Sequence, residues 1–376
     1  MKIMISVGEA SGDLHGASVA AALKELQPTA ELFGMGGSAM AQAGVEILYD
    51  IAELGVMGLV EVLRNLPKLF RVRDLLKQAM QKRRPDVLVV IDYPGFNVRL
   101  AKIAKKLGIP VVFYISPSVW AWGAGRAKEV AEVASRVAAI FPFEAEAYRK
   151  AGAKVTFVGH PLLDIVKAEQ SRAELRAAYG VGDQEEAILL LPGSRKQEIE
   201  KLLPSMLQAA EELQRRRGNC RFFLPVATTI PRAMIERQLQ EHRLAVTLTD
   251  GRTYDLMKMA DAAVAASGTV TLEAALLGLP CVVIYKMAAI TYWLGKRLVR
   301  IPHISLPNIV AGRKVIPELL QEQVCGPVIA QEIGAMLEPE NRQRLAQDMA
   351  DVRRRLGEPG AVRRVAEEIV AVAEGR

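Results

Sequence analysis

The segment LLPGSR at residues 190–195 has the residue types of a phosphate site. An apolar run precedes it and a helix-length segment follows, so a ligand there would meet the free N–H groups and partial positive charge of a helix N-terminus. Gly193 lets the backbone approach the ligand, and Arg195 offers a fork of donors suited to a diphosphate. We therefore predict phosphate binding at Gly193, Ser194 and Arg195. A capping box of Ser194 with Gln197 is the structural alternative, but it does not explain the arginine.

The segment AASGTVTLEAALLG repeats this arrangement of strand, turn and helix. Ser267, Gly268 and Thr269 stand at the predicted helix start, where hydroxyl and N–H groups can bind phosphate oxygens. Glu273 lies one turn further on and can accept hydrogen bonds from two vicinal ribose hydroxyls. The paired segments predict a nucleoside diphosphate as ligand, unless Glu273 is only a solvated helix residue.

A carboxylate, Asp92, ends the apolar run VLVVI and precedes a Pro-Gly turn and Asn97. Ligands of parallel sheets collect at the carboxyl ends of the strands. A carboxylate held there can deprotonate an attacking alcohol, a contribution of about 10²- to 10⁴-fold in rate. The alternative is an aspartate that only shapes the turn.

Two other strand ends carry carboxylate or aromatic residues. GEASGDLHG lies between a predicted strand, Met1 to Val7, and a predicted helix, Ala17 to Leu26, where a dinucleotide fold has its phosphate loop. Its Glu9 and Asp13 would repel a pyrophosphate. The segment SPSVWAWG places Trp120 and Trp122 at another strand end, either as a wall for a sugar ring or acyl chain or as core.

These segments need parallel sheets to bring them together. Apolar β-rich runs alternate with helix-length segments in two sets, so we expect an α/β protein with two Rossmann-like parallel-sheet domains facing across a cleft. A polar helical stretch at 160–185 marks the link. We predict domains at 1–165 and 166–355, with a C-terminal helix at 356–376 that packs back on the first domain.

The composition narrows the classes of partner. The 376 residues carry a net charge of +7, which suggests an anionic partner. Aromatic residues are only 5% of the chain, and it has no zinc-finger or RNA-binding signature, so we expect no nucleic acid. Three unpaired cysteines and four scattered histidines predict no metal site. No signal peptide or membrane-spanning run is expected.

One segment, GVMGLVEVLRNLPKLFRVRDLL, does not fit a plain Rossmann half. On a helix from Val56 to Leu66 the apolar residues would cover roughly 220° of the circumference, and Pro67 should end that helix. An excess of apolar residues interspersed with Lys and Arg is typical of a helix that lies on an anionic membrane surface. The alternative is two ordinary helices that cover the sheet. The predicted membrane contacts are Val56, Met57, Leu59, Val60, Leu63, Leu66, Leu69 and Phe70.

These motifs together resemble the lipid-A-disaccharide synthase family of glycosyltransferases. The resemblance runs from residue 1 to about 320 and includes GEASGDLHGA, DYPGFN, YISPSVWAWGAGRAKEV, VGHPLLD, LLPGSR and SLPNIVAGRKVIPELLQ. It implies a GT-B fold. It also implies an inverting reaction in which UDP-2,3-diacylglucosamine and 2,3-diacylglucosamine 1-phosphate (lipid X) give the β-1,6-linked disaccharide 1-phosphate and UDP, with no cofactor.

The resemblance also implies roles for single residues. Asp92 matches the proposed base, and Arg195 with the two helix starts would stabilise the departing UDP without a metal. Asn308, in SLPN, would contact the nucleotide, whereas His160 is expected to be structural. Since the phosphate features all lie in the second domain, we assign the first to the acceptor, with Glu9, Ser11, Asp13, Trp120 and Trp122 on the acceptor side. Whether Glu9 and Asp13 touch substrate or only pin the loop stays open.

The implied partners are the two lipid substrates, the cytoplasmic face of the inner membrane and a second copy of the chain in a homodimer. Localisation would be cytoplasmic and peripheral to that membrane. Two other functions fit the same residues. Another GT-B enzyme, such as a UDP-N-acetylglucosamine epimerase, would need no apolar segment at 56–76. A non-catalytic nucleotide-sugar binder would bind UDP without releasing it from a donor.

Overall fold

The computed structural model describes residues 1–54, 59–116, 124–286 and 303–375 of the chain. The chain divides into two compact units. The first consists of Met1–Leu163 together with Leu356–Arg376, and the second of Asp164–Arg355. Each is built on one parallel sheet, so the predicted α/β class is confirmed.

The first unit has a seven-stranded sheet among the described residues, in the order β3-β2-β1-β4-β5-β6-β7. All its strand pairs are parallel. The inner strands are short and mostly buried because helices cover both faces of the sheet. The strands are β1 (Lys2–Ser6), β2 (Glu31–Gly36), β3 (Glu46–Asp50), β4 (Val87–Ile91), β5 (Val111–Tyr114), β6 (Arg136–Ala139) and β7 (Val155–Phe157).

The helices of this unit follow the strands in Rossmann fashion. They are α1 (Ala10–Leu26), α2 (Ser38–Gln42), α3 (Leu59–Arg83), α4 (Pro94–Lys106), α5 (Ala124–Val133) and α6 (Pro142–Lys150), with a 3-10 turn at Ile51–Leu54. A short helix α7 (Leu162–Ile165) follows β7. The chain order reverses between β1 and β4, so the carboxyl ends of these two strands form the switch point at which such sheets bind ligands.

Helix α1 begins earlier than the sequence predicts. We expected GEASGDLHG to be a loop and the helix to start at Ala17, but the helix begins at Ala10. Its glycines serve close packing. A Cβ on Gly12 would lie 3.2 Å from the Cβ of Val7, and one on Gly16 would lie 2.6 Å from the sulfur of Met40. The small residues therefore let the helix approach the sheet.

Helix α3 runs through Pro67, contrary to the predicted break. Proline removes one helical hydrogen bond, a cost of about 3 kcal/mol. Burial of Val72, Leu76 and Met80 against the first sheet offsets this cost. Val56 and Met57 lie outside the described residues, as do the side chains at 59–66.

The second unit repeats the topology, with the order β10-β9-β8-β11-β12-β13 among its described residues and parallel pairs throughout. Its switch point lies between β8 and β11. The strands are β8 (Glu186–Leu191), β9 (Cys220–Val226), β10 (Val246–Asp250), β11 (Ala262–Ala266), β12 (Cys281–Tyr285) and β13 (Glu318–Leu320).

Residues of several helices of the second unit form an apolar core with residues of its sheet. The helices are α8 (Arg172–Ala178), α9 (Lys196–Arg217), α10 (Arg232–Leu239), α11 (Thr253–Met259), α12 (Thr269–Leu276), α13 (Leu306–Ala311), α14 (Gly326–Leu337) and α15 (Pro339–Arg355), with a 3-10 turn at Gln321–Gln323.

The last helix, α16 (Ala361–Ala373), belongs to the first unit. Its buried residues Val365, Ala366, Ile369 and Val370 recur at helical spacing and join the core between the first sheet and α1. The Arg364 guanidinium also links this helix to the end of β7, because it donates a hydrogen bond to the carbonyl of Val158, 2.8 Å away. In the part of the chain that is described, no helix combines the length and the apolar character needed to span a bilayer.

Candidate active site

The switch point of the second sheet holds a cavity of about 400 Å³. Gly193, Ser194 and Arg195 reach it from the end of β8, and Ser267, Gly268, Thr269 and Glu273 reach it from the end of β11. Parallel strands end at one edge of the sheet, so residues about 75 positions apart in sequence line one space. The structure thus brings together every residue predicted for the nucleotide site except Asn308.

The turn at Gly193 depends on the absence of a side chain. Its φ of +109° is one that residues with a Cβ rarely adopt, and a Cβ there would lie 2.9 Å from the Cβ of Glu198. Ser194, the residue after Gly193, is held by the hydroxyl of Thr229, which donates to the Ser194 carbonyl at 2.6 Å. The side chain of Arg195 is 83% exposed and lines the cavity.

Glu198 is a residue of this cavity that the sequence prediction missed. One of its carboxylate oxygens accepts from the backbone N–H groups of Ser194 and Arg195, at 3.1 and 3.2 Å. The other accepts from the Arg195 guanidinium at 2.9 Å. Glu198, not Gln197, therefore makes the capping contact, and the spacing of three residues from Arg195 was the available signal.

Helix α12 provides the opposite wall. Its N-cap, Gly268, has an extended backbone, and its carbonyl accepts from the Thr271 hydroxyl at 2.8 Å. Glu273 lies between this cavity and a neighbouring one of about 490 Å³, because it lines both, as does Thr253. Burial raises the pKa of Glu273 and of Tyr254, the latter also through the negative charge of Glu273.

Asn308 does not line this cavity, and the predicted nucleotide contact needs correction. Its side chain is fully buried. Its amide nitrogen donates to the carbonyl of Ile316 and to the Glu318 carboxylate, at 2.9 and 2.8 Å. Its oxygen accepts from the N–H groups of Val315 and Ile316, at 2.7 and 3.0 Å. With its hydrogen-bonding capacity used internally, Asn308 holds the chain before β13.

In the first unit, Asp92 lies directly after β4 in an unusual backbone conformation. Asp92 and Tyr93 both have a φ of +51°, and Ile115 after the neighbouring strand has a φ of +50°. Such residues cost about 1–3 kcal/mol each and cluster at functional sites. The ring of Tyr93 packs over Gly8, where a Cβ would lie 2.2 Å from ring atoms.

The groups around Asp92 include His15, which the sequence prediction did not single out. Burial lowers the pKa of His15, while the negative charge of Asp92 raises it. Burial, with a smaller effect from His15, lowers the pKa of His160 to about 3. The Nδ1 atom of His160 accepts from the N–H of Leu162 at 3.2 Å, which is a structural role.

The remaining residues predicted on the acceptor side differ in their exposure to solvent. Glu9 and Ser11 are exposed at the start of α1, and burial, with a smaller effect from the negative charge of Glu9, raises the pKa of Tyr93. Asp13 is buried and accepts from the N–H groups of Gly37, Ala39 and Met40 at 2.7–3.2 Å. Asp13 thus caps α2 and pins the fold, so it is removed from the acceptor side. Trp120 and Trp122 lie outside the described residues.

Comparison with known proteins decides the family. The family model described as lipid-A-disaccharide synthetase matches residues 3–372. The chain belongs to this family. A lipid-A-disaccharide synthase of Geobacter sulfurreducens is 44% identical over 97% of this chain and 95% of its own length. One of Syntrophus aciditrophicus is 45% identical over 97% and 96%. The predicted resemblance is confirmed, and the chain is an enzyme, a glycosyltransferase.

Solved structures support the GT-B fold. The UDP-GlcNAc 2-epimerase of Neisseria meningitidis matches with a TM-score of 0.64 and 14% identity, over 98% of this chain and all of that one. MurG of Acinetobacter baumannii matches with a TM-score of 0.62 and 17% identity, over 98% and 99%. At such identities the likeness concerns the fold alone. Among the described residues, no group of three His, Cys, Asp or Glu side chains is placed to hold a metal ion.

Proposed function

We propose that this enzyme joins UDP-2,3-diacylglucosamine to 2,3-diacylglucosamine 1-phosphate and releases UDP, with inversion at the anomeric carbon to form a β-1,6 link. The observation that carries the proposal is the cavity between β8 and β11, where Arg195, two helix starts and Glu273 surround one space. This set matches a nucleoside diphosphate: cationic and N–H donors for the phosphates, and a carboxylate for ribose hydroxyls.

In this proposal the second unit holds the donor substrate. The diphosphate lies against Arg195, the N-terminus of α9 and the turn Ser267–Thr269, while Glu273 accepts from the ribose. Negative charge grows on the departing UDP as the glycosidic bond breaks. Fixed donors aimed at that charge stabilise the transition state more than the ground state.

The first unit then holds the acceptor, and Asp92 acts as the general base. Its carboxylate takes the proton from the primary hydroxyl as the oxygen attacks the anomeric carbon from the face opposite UDP. A single displacement of this kind inverts the anomeric centre. The strained backbone at Asp92 and Tyr93 supports the assignment, because a chain keeps such a conformation only where the surrounding structure enforces it. Glu9 and Ser11 offer groups to the acceptor sugar from the start of α1.

We also propose that α3 brings the enzyme to the cytoplasmic face of the inner membrane, where both lipid substrates reside. Phe70 is 45% exposed, Arg71 beside it is exposed, and the Arg73 guanidinium lies 4.9 Å from the Phe70 ring centroid. An exposed aromatic ring among cations is suited to an anionic lipid surface. Leu69, by contrast, packs against the core of the first unit, so it is removed from the predicted contacts.

The reaction can be tested directly. The purified chain is incubated with UDP-2,3-diacylglucosamine and the 1-phosphate acceptor, and products are analysed by mass spectrometry. The expected result is a tetra-acylated disaccharide 1-phosphate and one UDP per disaccharide, with the configuration of the new link read by NMR. Conversion of UDP-N-acetylglucosamine alone, with no disaccharide, would instead favour an epimerase.

A further inference from the structure

The carboxylate of Glu198 occupies hydrogen-bond donors that face the nucleotide cavity. It accepts from the backbone N–H groups of Ser194 and Arg195 and from the Arg195 guanidinium, all at 2.9–3.2 Å. It also lies over Gly193, since a Cβ on that glycine would be 2.2 Å from a carboxylate oxygen. Three donors of the segment GSR thus converge on one internal anion.

These are the same donors that a diphosphate would use. A carboxylate and a phosphate both present anionic oxygens, and each backbone N–H has one hydrogen to give. Glu198 and the ligand therefore cannot both take the two N–H groups. Arg195 is mostly exposed, so its guanidinium is free to follow whichever anion occupies the cavity.

We infer that Glu198 is an internal competitor for the diphosphate, which nucleotide binding displaces and which returns to the donors as UDP leaves. The inference rests on the proposed function in that it takes the cavity to be the diphosphate site. Competition of this kind weakens the affinity for UDP and speeds its release.

A role as a helix cap alone makes the opposite prediction for affinity. A cap stabilises α9, so its removal lowers thermal stability and leaves UDP binding equal or weaker. If Glu198 is a competitor, removal of its charge makes UDP bind more tightly than it binds to the native chain. Glu198→Gln is the sharpest variant, because the amide keeps the size of the side chain and one acceptor oxygen but loses the charge.

The experiment measures UDP and uridine binding to the full chain by isothermal titration calorimetry, with folding checked by circular dichroism. For Glu198→Gln we expect the Kd for UDP to fall about tenfold. Uridine, which lacks the phosphates, should bind the variant and the native chain alike. The matched control is Glu200→Gln, which removes the same charge from an exposed position two residues along and should leave the Kd for UDP within about twofold.

Release is measured by stopped flow, and the UDP off-rate of Glu198→Gln should be slower. Glu198→Ala serves as a second variant if the glutamine form does not fold, with the same expected direction. An unchanged or higher Kd for UDP in the folded variants would overturn the inference while leaving the diphosphate site intact. If UDP binds neither the native chain nor the variants, the proposed diphosphate site fails as well.

Discussion

The side-chain amide of Asn97 donates to the backbone carbonyl of Asp92 at 2.8 Å. Its amide oxygen accepts from the Ser6 hydroxyl at 2.8 Å, and its nitrogen also lies within 3.2–3.3 Å of the carbonyls of Ser6 and Ile91. Asn97 is fully buried, so it ties the ends of β1 and β4 together and holds Asp92 in its strained conformation. The carboxylate proposed as base is thus carried by a backbone that the buried side chain of Asn97 holds through hydrogen bonds.

Replacing that carboxylate should separate chemistry from binding. We expect Asp92→Asn to lower kcat by about 10²- to 10⁴-fold, because the amide cannot take the proton of the acceptor alcohol. The Kd for UDP should stay unchanged, since Asp92 belongs to the first unit and the proposed nucleotide site to the second. Steady-state kinetics measures kcat, and calorimetry measures the Kd for UDP.

The control for Asp92 is Asp86→Asn, an exposed aspartate just before the same strand β4. It makes the same change of charge at the opposite end of the strand, and its kcat should equal that of the native chain. A kcat for Asp92→Asn within threefold of the native value would remove Asp92 as base.

The packing of Tyr93 over Gly8 predicts a second effect on the same turn. Gly8→Ala would place a methyl group 2.2 Å from the ring of Tyr93, so this ring, which belongs to the residue next to Asp92, must move. Overpacking of this kind costs about 1–3 kcal/mol, and we expect a lower melting temperature together with a lower kcat.

Gly95→Ala is the matched control for Gly8→Ala, because a Cβ at this helical position meets no atom within 4 Å. It should melt at the native temperature or slightly above it, since alanine favours helix more than glycine does. Equal stability of the two variants would show that Tyr93 yields to the methyl group at no cost.

Arg195 should matter for both binding and turnover. Arg195→Ala removes the guanidinium from the cavity proposed to bind the diphosphate, and we expect the Kd for UDP to rise about 10- to 100-fold with a fall in kcat. Lys196→Ala, an exposed cation of the next position, is the control and should change the Kd by no more than a few-fold. If the two variants bind UDP equally well, the diphosphate lies elsewhere.

Burial of His160 predicts a pH dependence of stability. Its folded pKa is lowered to about 3, against about 6.5 in the unfolded chain, so acid protonates the unfolded state first. The free energy of unfolding should therefore lose about 2 kcal/mol from this group as the pH falls from 7 to 5. The contribution is fully present above the unfolded pKa and declines between 6.5 and 3.

His160→Asn isolates this effect, because asparagine can accept from the N–H of Leu162 but does not titrate. Urea denaturation at pH 7 and pH 5 should show that the native chain loses about 2 kcal/mol more than the variant, while other groups titrate in both and cancel. A variant that loses as much stability as the native chain would show that His160 takes up its proton in the folded state.

Membrane binding should depend on Phe70. We expect Phe70→Ser to reduce sedimentation with vesicles that contain phosphatidylglycerol, because the exposed ring is removed from a basic surface. Leu75→Ser is the matched control: Leu75 is 41% exposed on the same helix but points about 140° away. Equal recovery of Phe70→Ser and the native chain in the vesicle pellet would contradict the proposed contact.

The sequence determined the sheet architecture and most of the residues that line the cavity proposed for the nucleotide. Apolar strands that alternate with helices must form parallel sheets, and the residues after parallel strands must meet at one edge. That rule placed Arg195 beside Ser267 without any knowledge of the intervening chain. The strong family motifs then supplied the chemistry that the cavity should perform.

The tertiary structure decided what each polar side chain contacts. Asp13 and Asn308 have the types and positions of ligand contacts, yet both are buried against backbone groups, Asp13 against residues 24 to 27 positions away. The backbone N–H groups of Ser194 and Arg195 in turn donate hydrogen bonds to the Glu198 carboxylate. The local sequence pattern predicts which polar groups lie at the end of a strand. The hydrogen-bond partners of those groups belong to other segments that folding brings close, and the spacing of residues in the sequence does not give the distance between them in space.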